Sequence, residues 1–173
     1  LTPVRVVGLD RVIAIAAGLE HSAALKSDGT VWTWGSNRFG HLGNGTIQNS
    51  NVPVMVADMT RVASIAAGGY RNLARRSDGT FWTWGTPGLD GSSLDLQGLR
   101  TVPQQVIGPS GVTDLAVGID HNLVLRDGQV FSWGYNRYGQ LGDGSNNDHP
   151  TELVQVQYQK GVLKDVVAIA AGS

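Results

Sequence analysis

The sequence predicts an all-β protein built from propeller blades, each a sheet of four antiparallel strands. Three observations carry that prediction. The chain repeats with a period of about 50 residues: Ile15-Ala16-Ala17-Gly18 returns as Ile65-Ala66-Ala67-Gly68, Leu115-Ala116-Val117-Gly118 and Ile169-Ala170-Ala171-Gly172. An Asp-Gly pair sits at the same place in three copies, at Asp28-Gly29, Asp78-Gly79 and Asp127-Gly128, and this dipeptide is a strong hairpin signal. Short β-branched and aromatic runs alternate with Gly- and Asn-rich turns, without helical periodicity.

Each copy resolves into four strand-like pieces. The first, Val12 to Ala17 in copy one, begins β-branched and then turns small. Blades converge on a central channel where space tapers, so the innermost strand should carry Ala, Gly and Ser. Ala14, Ala16, Gly18, Ser64, Ala66 and Gly68 do so. The second piece is His21 to Lys26, matched by His121 to Arg126. The Asp-Gly turn after it is expected to be type I′, with positive φ at both central residues. The third piece, Val31 to Trp34, places Trp32 and Trp34 on one face and Thr33 on the other. These indoles are expected to wedge one blade against the next. A Gly- and Asn-rich loop leads to the fourth piece, Val52 to Val56, whose Pro53 suits an edge strand because it has no N–H to donate. A stacked solenoid is the rival architecture, with shorter periods and parallel strands.

The resulting organisation is one repeat domain over 1–173: an outer strand at 1–7, blades at 12–56, 62–106 and 112–156, and the inner strand of a next blade at 166–172. Three blades do not close a ring, since propellers have roughly 4 to 8. The chain is therefore expected to belong to a larger ring or to self-associate. It starts at Leu1 without an initiator Met or a visible signal peptide, and reads as a piece of something longer or a trimmed form.

The middle copy departs from its neighbours. Copies one and three continue with Asn37-Arg38-Phe39-Gly40-His41-Leu42-Gly43 and Asn136-Arg137-Tyr138-Gly139-Gln140-Leu141-Gly142, whereas the middle copy writes Thr86-Pro87-Gly88-Leu89-Asp90-Gly91. Asn and Gly supply tight turns there, and the aromatic and Leu hold the loop to its blade. Arg71 replaces the histidine of the other copies, and Arg75 replaces Leu25 and Leu125 on a face expected to be buried. A lone buried guanidinium is costly, so Arg75 is expected to pair with Asp90 or Asp95. Drift within one blade is the other explanation.

Composition narrows the function. The 173 residues are 41% hydrophobic and 16% charged, enough for one domain with its own core, and the 24 glycines are the excess. A net charge of −1 gives no basic footprint for nucleic acid. No apolar run reaches the 18 or so residues of a spanning helix. Cysteine is absent, which removes thiolate nucleophiles and Cys-based zinc sites. No metalloprotease, nucleophile-elbow or Walker motif occurs. The histidines recur with the repeat, as structural residues do. The oxygen-rich run around Asp143 and Asp148 lacks calcium-loop spacing. No catalytic residue, metal or cofactor is expected. The candidate contact residues lie in the turns between first and second strands: Glu20, His21, Tyr70, Arg71, Asp120 and His121. Loops on a rigid scaffold are where binding residues concentrate, and Tyr and Arg are favoured there. Ten arginines against three lysines point the same way.

The combined pattern of Ile-Ala-Ala-Gly, His-Ser, Ser-Asp-Gly-Thr-Val-Trp-Thr-Trp-Gly and Asn-Arg-x-Gly-x-Leu-Gly resembles the regulator of chromosome condensation repeat family over nearly the whole chain. Trp-Asp and kelch propellers fit worse, for want of their blade signatures. The resemblance implies a propeller with the Ala-Gly strand innermost. The first functional reading, a non-enzymatic propeller scaffold that binds another protein through one face of the ring with the partner unspecified, rests on the exposed turns and the lack of a catalytic cluster rather than on the resemblance. Two alternatives come with the resemblance: guanine-nucleotide exchange on a small GTPase, and a secreted bacterial enzyme inhibitor.

Overall fold

The computed structural model describes residues 2–86, 99–108, 110–159 and 161–172. It is all-β, with no helix among those residues. Twelve strands form three antiparallel sheets, each in sequential order. The first holds β1 (Val12–Ala17), β2 (His21–Lys26), β3 (Val31–Gly35) and β4 (Ser50–Met55). The second holds β5 (Val62–Gly68), β6 (Arg71–Arg76), β7 (Phe81–Gly85) and β8 (Arg100–Gln105). The third holds β9 (Asp114–Val117), β10 (His121–Arg126), β11 (Gln129–Gly134) and β12 (His149–Gln155). A two-residue hairpin of β13 (Gln157–Tyr158) and β14 (Gly161–Val162) follows the third blade.

The innermost strands β1, β5 and β9 neighbour one another, which makes them the hub. Space there is short. A Cβ on Gly68 would lie 2.3 Å from the carbonyl oxygen of Val117, and one on Gly18 would strike the His21 ring. Between blades the seams are apolar. Trp84 of the second blade packs against Leu25, Val31 and Val56 of the first, with Met59, Val62 and Ala74 around it. Trp133 repeats the arrangement against Leu73 and Phe81. Each indole removes a large apolar area from water, and the seams are the cores of the molecule.

The turns follow loop length. In the first two blades Ser27 and Ser77 lengthen the loop to three residues, so only Gly29 and Gly79 take left-handed φ (79° and 82°). Gly29 N–H donates to Lys26 O and Lys26 N–H to Thr30 O, a type I turn closed by a glycine bulge. The third blade lacks the serine, and there Asp127 and Gly128 both have positive φ (48° and 72°). The type I′ expectation thus applies to the third blade and is corrected for the other two. In those two, Asp28 and Asp78 instead accept from Thr30 and Thr80, whose hydroxyls accept from the Trp32 and Trp82 indoles.

Both end strands are also corrected. Residues 2–7 carry no strand, and Val4 and Val7 stand exposed, because no neighbouring strand pairs with them. Residues 166–172 likewise form no ladder. They are nonetheless seated: Val166 N–H donates to Gly128 O (3.0 Å) and Ile119 N–H to Gly172 O (3.3 Å). Corresponding bonds, the second shifted by one residue, place β5 beside the first blade, from Val62 N–H to Gly29 O (3.1 Å) and Leu19 N–H to Gly69 O (3.0 Å).

Arg75 is only half-buried, and its Nε donates to Ser64 Oγ at 3.3 Å. Asp90 and Asp95, its expected partners, lie outside the described residues. Ser64 and Arg75 are cross-strand neighbours where the first blade has Ala14 and Leu25, so the exchange is a paired one. The apolar burial moves along the strand: Leu73 and Phe81 fill the second seam where the first blade has Ala23 and Val31. Leu73→Ala should therefore destabilise by about 2–5 kcal/mol. The Ser64→Ala/Arg75→Leu double variant should stay within about 1 kcal/mol of wild type. Urea unfolding of both variants checks the pair of outcomes.

Candidate functional site

The turns between first and second strands, and the loops between third and fourth, emerge at one end of the blades. The first seam is closed there by a polar latch. His21 is buried and its Nε2 lies 2.9 Å from Asn72 Oδ1 in the next blade. Asn72 Nδ2 donates to His41 O (2.8 Å), and Trp84 Nε1 donates to the same oxygen (3.1 Å). Because the Asn72 nitrogen is engaged in donating, its oxygen accepts, and the His21 proton sits on Nε2.

The second seam uses different chemistry at the same place. Arg71 is 2% exposed. Its Nη2 donates to Ile119 O (2.9 Å) and lies 3.7 Å from the Asp120 carboxylate. With the Asn122 amide oxygen turned toward its donors, that oxygen accepts from Arg71 Nη1 (3.1 Å) and Trp133 Nε1 (3.2 Å). Burial pulls the Arg71 guanidinium down to about 10, against the opposing pull of Asp120, so it stays charged at neutral pH. Arg71 thus does in the second seam what His21 does in the first. Arg71→His should restore the first-seam pairing and cost less than Arg71→Ala, which should lose about 1–3 kcal/mol of stability; thermal melts of the two variants compare them.

His41 is sealed beneath the loop. Its ring lies 4.6 Å from that of His21 and 5.7 Å from that of Tyr70, and neither ring nitrogen has a partner. Burial, with the nearby His21 and Arg38, pushes its pKa down to about 3, and burial lowers His21 as well. The unfolded chain therefore binds more protons than the folded one between about pH 6.5 and 3. Stability should fall as pH drops through that window. His41→Gln, which copies Gln140 of the third blade, should flatten the dependence. Melting temperatures at pH 7, 5.5 and 4 measure both slopes.

Above this sealed layer lies an exposed one. Arg38 Nη2 donates to the Tyr70 hydroxyl (2.6 Å) across the seam and lies 3.5 Å from Glu20. Its guanidinium stacks 4.9 Å from the Phe39 ring and 5.0 Å from the Tyr70 ring. In the third blade the equivalent Arg137 stacks 5.6 Å from Tyr135, and Tyr138 is 86% exposed.

The six residues marked from sequence therefore part company. Glu20 is exposed, while Tyr70, Asp120 and His121 are partly so. His21 and Arg71 are withdrawn from the surface, because at this strand end their side chains turn into the next blade. Sequence reading missed Arg38, His41, Asn72 and Asn122. The recurring Asn-Arg-aromatic-Gly segment and the Asn shared by copies two and three were the available signals.

Family models described as the Regulator of chromosome condensation (RCC1) repeat match residues 28–74 and 127–173, and in a second form 12–40 and 112–140. The ultraviolet-B receptor UVR8 of Arabidopsis thaliana is 32% identical over 168 residues, covering 94% of this chain and 37% of the receptor. A mouse secretion-regulating guanine nucleotide exchange factor is 28% identical, covering 84% of this chain and 36% of that protein. Among solved structures, Prp20p from Saccharomyces cerevisiae, described with binding properties to Gsp1p and histones, superposes with a TM-score of 0.73 at 25% identity. That match covers 87% of this chain and 39% of Prp20p. The chain thus spans under two-fifths of each of these relatives.

Proposed function

The chain belongs to the regulator of chromosome condensation repeat family, and from that premise we propose that it is a non-enzymatic propeller scaffold that binds another protein through the face bearing Glu20, Arg38 and Tyr70. One observation carries the reading. The Arg38 guanidinium is held between two rings and a carboxylate while half-exposed, the kind of ordered aromatic and arginine surface that interfaces favour. Asp120 and His121 extend the same rim one blade further. Two of the four histidines are taken up by the seam, since His21 is committed to Asn72 and His41 is sealed and held neutral.

Nucleotide exchange on a small GTPase is a second reading, favoured by the similarity to the mouse exchange factor. Affinity capture followed by direct binding separates the readings. Arg38→Ala and Glu20→Ala should each weaken a captured partner, Arg38→Ala by about tenfold, the scale of an interface hot spot. Lys164→Ala, at the opposite end of the blades, should not. Undiminished binding by Arg38→Ala retires this face, and accelerated nucleotide release from a GTPase panel installs the second reading.

A further inference from the structure

The loop between β3 and β4 holds the single Asn-Gly step of the sequence, Asn44-Gly45. An asparagine before glycine is chemically labile, because the glycine nitrogen has no side chain beside it to hinder its approach to the asparagine amide. Every other asparagine of the sequence precedes a residue with a side chain, as at Asn49-Ser50, Asn51-Val52 and Asn146-Asn147. Asn44 is half-buried and Gly45 is exposed, so the step lies within reach of water.

Two sets of bonds hold it. Asn44 Oδ1 accepts from the Thr46 backbone N–H (3.1 Å) and hydroxyl (2.8 Å), and from Nδ2 of the buried Asn37 (3.4 Å). Gly45 N–H donates to Thr101 O (2.9 Å) in β8 of the next blade. The first set orients the amide. The second engages the nitrogen that would attack it, and that bond crosses the first seam.

The third blade shows the same loop with a carboxylate in place of the amide. Asp143-Gly144 stands where the first blade has Asn44-Gly45, and the glycine has the same left-handed φ of 83° in both. The Asp143 carboxylate accepts from Asn136 Nδ2 (3.0 Å), from the Ser145 N–H (2.9 Å) and from the Ser145 hydroxyl (2.8 Å). These are the counterparts of the donors to Asn44, and the bond from the buried asparagine is the shorter of the pair.

We propose that Asn44 is a site of spontaneous deamidation, held in check by the first seam, and that the loop accepts the aspartate it produces. When β8 moves off the loop, the Gly45 nitrogen forms a bond to Asn44 Cγ. The bond from Cγ to the side-chain nitrogen breaks, and that nitrogen leaves as ammonia, taking up the Gly45 amide proton. Water then opens the cyclic imide. Opening at Cγ restores the backbone and leaves aspartate; opening at the backbone carbonyl routes the chain through Cγ and lengthens it by one carbon. The aspartate branch keeps the donors from Thr46 and Asn37, and adds one negative charge to the loop that carries Arg38.

Because the reaction requires the seam to open, its rate scales with the open fraction. The full chain is held at mildly alkaline pH in native buffer and in guanidinium chloride, and the peptide containing Asn44 is followed by mass spectrometry. The peptide should gain one mass unit at that residue at least about tenfold faster in denaturant than in native buffer. Asn49 and Asn51 should lag well behind it. Asn44→Asp, which makes the product directly, should melt within about 4 °C of wild type. An Asn44 that keeps its amide in denaturant as long as Asn49 does overturns the proposal. Equal rates in the two conditions overturn it too, as does an Asn44→Asp chain that melts further below wild type.

Discussion

The seam between consecutive blades is the constraint on which everything else rests. A four-stranded sheet has two faces, and neither can be left in water when it carries Leu25, Val31, Phe81 or Trp84. Burial requires a second sheet, and the twist and taper of the arrangement require that sheet to be narrow at the hub and wide outside. Alanine and glycine at the inner strands and tryptophan on the third strands satisfy both demands at once. The indole is the wedge and the glycine of the preceding loop is the gap it enters, as Gly43 and Trp84 show.

Apolar wedges set distance but leave angle free, and the polar latches supply direction. Hydrogen bonds are specific in geometry where dispersion is not. In the first seam the latch is neutral, from His21 through Asn72 to His41 O. In the second it is charged, from Arg71 to Ile119 O, Asp120 and Asn122. The two share the position and the asparagine, and differ in how they bear burial. A neutral imidazole avoids the cost of desolvating a charge, while the guanidinium offsets it with two hydrogen-bond acceptors and a nearby carboxylate in the neighbouring blade. The substitution that looked anomalous in the middle copy is therefore a second solution to the same problem.

This layering divides structure from function at one face. The residues nearest the hub are spent on holding blades together. Those one step further out, Arg38, Glu20 and Tyr70, are ordered by the same seam yet reach solvent. A side chain preordered in this way loses less rotamer freedom on meeting a partner, which is why the scaffold reading rests on Arg38 rather than on the turn residues alone.

The amino-acid sequence by itself determined the period, the strand order, the small residues at the hub and the indoles in the seams, because each follows from local alternation or from steric room that any copy of the repeat must respect. Turn type was legible in part: the serine at 27 and 77 decides loop length, and loop length decides which residues take positive φ. The tertiary structure alone decided where His21, Arg71 and His41 point. Each stands at the end of a strand or in a loop, where pleat alternation no longer dictates direction, and the surroundings that bury it belong to a blade about 50 residues away.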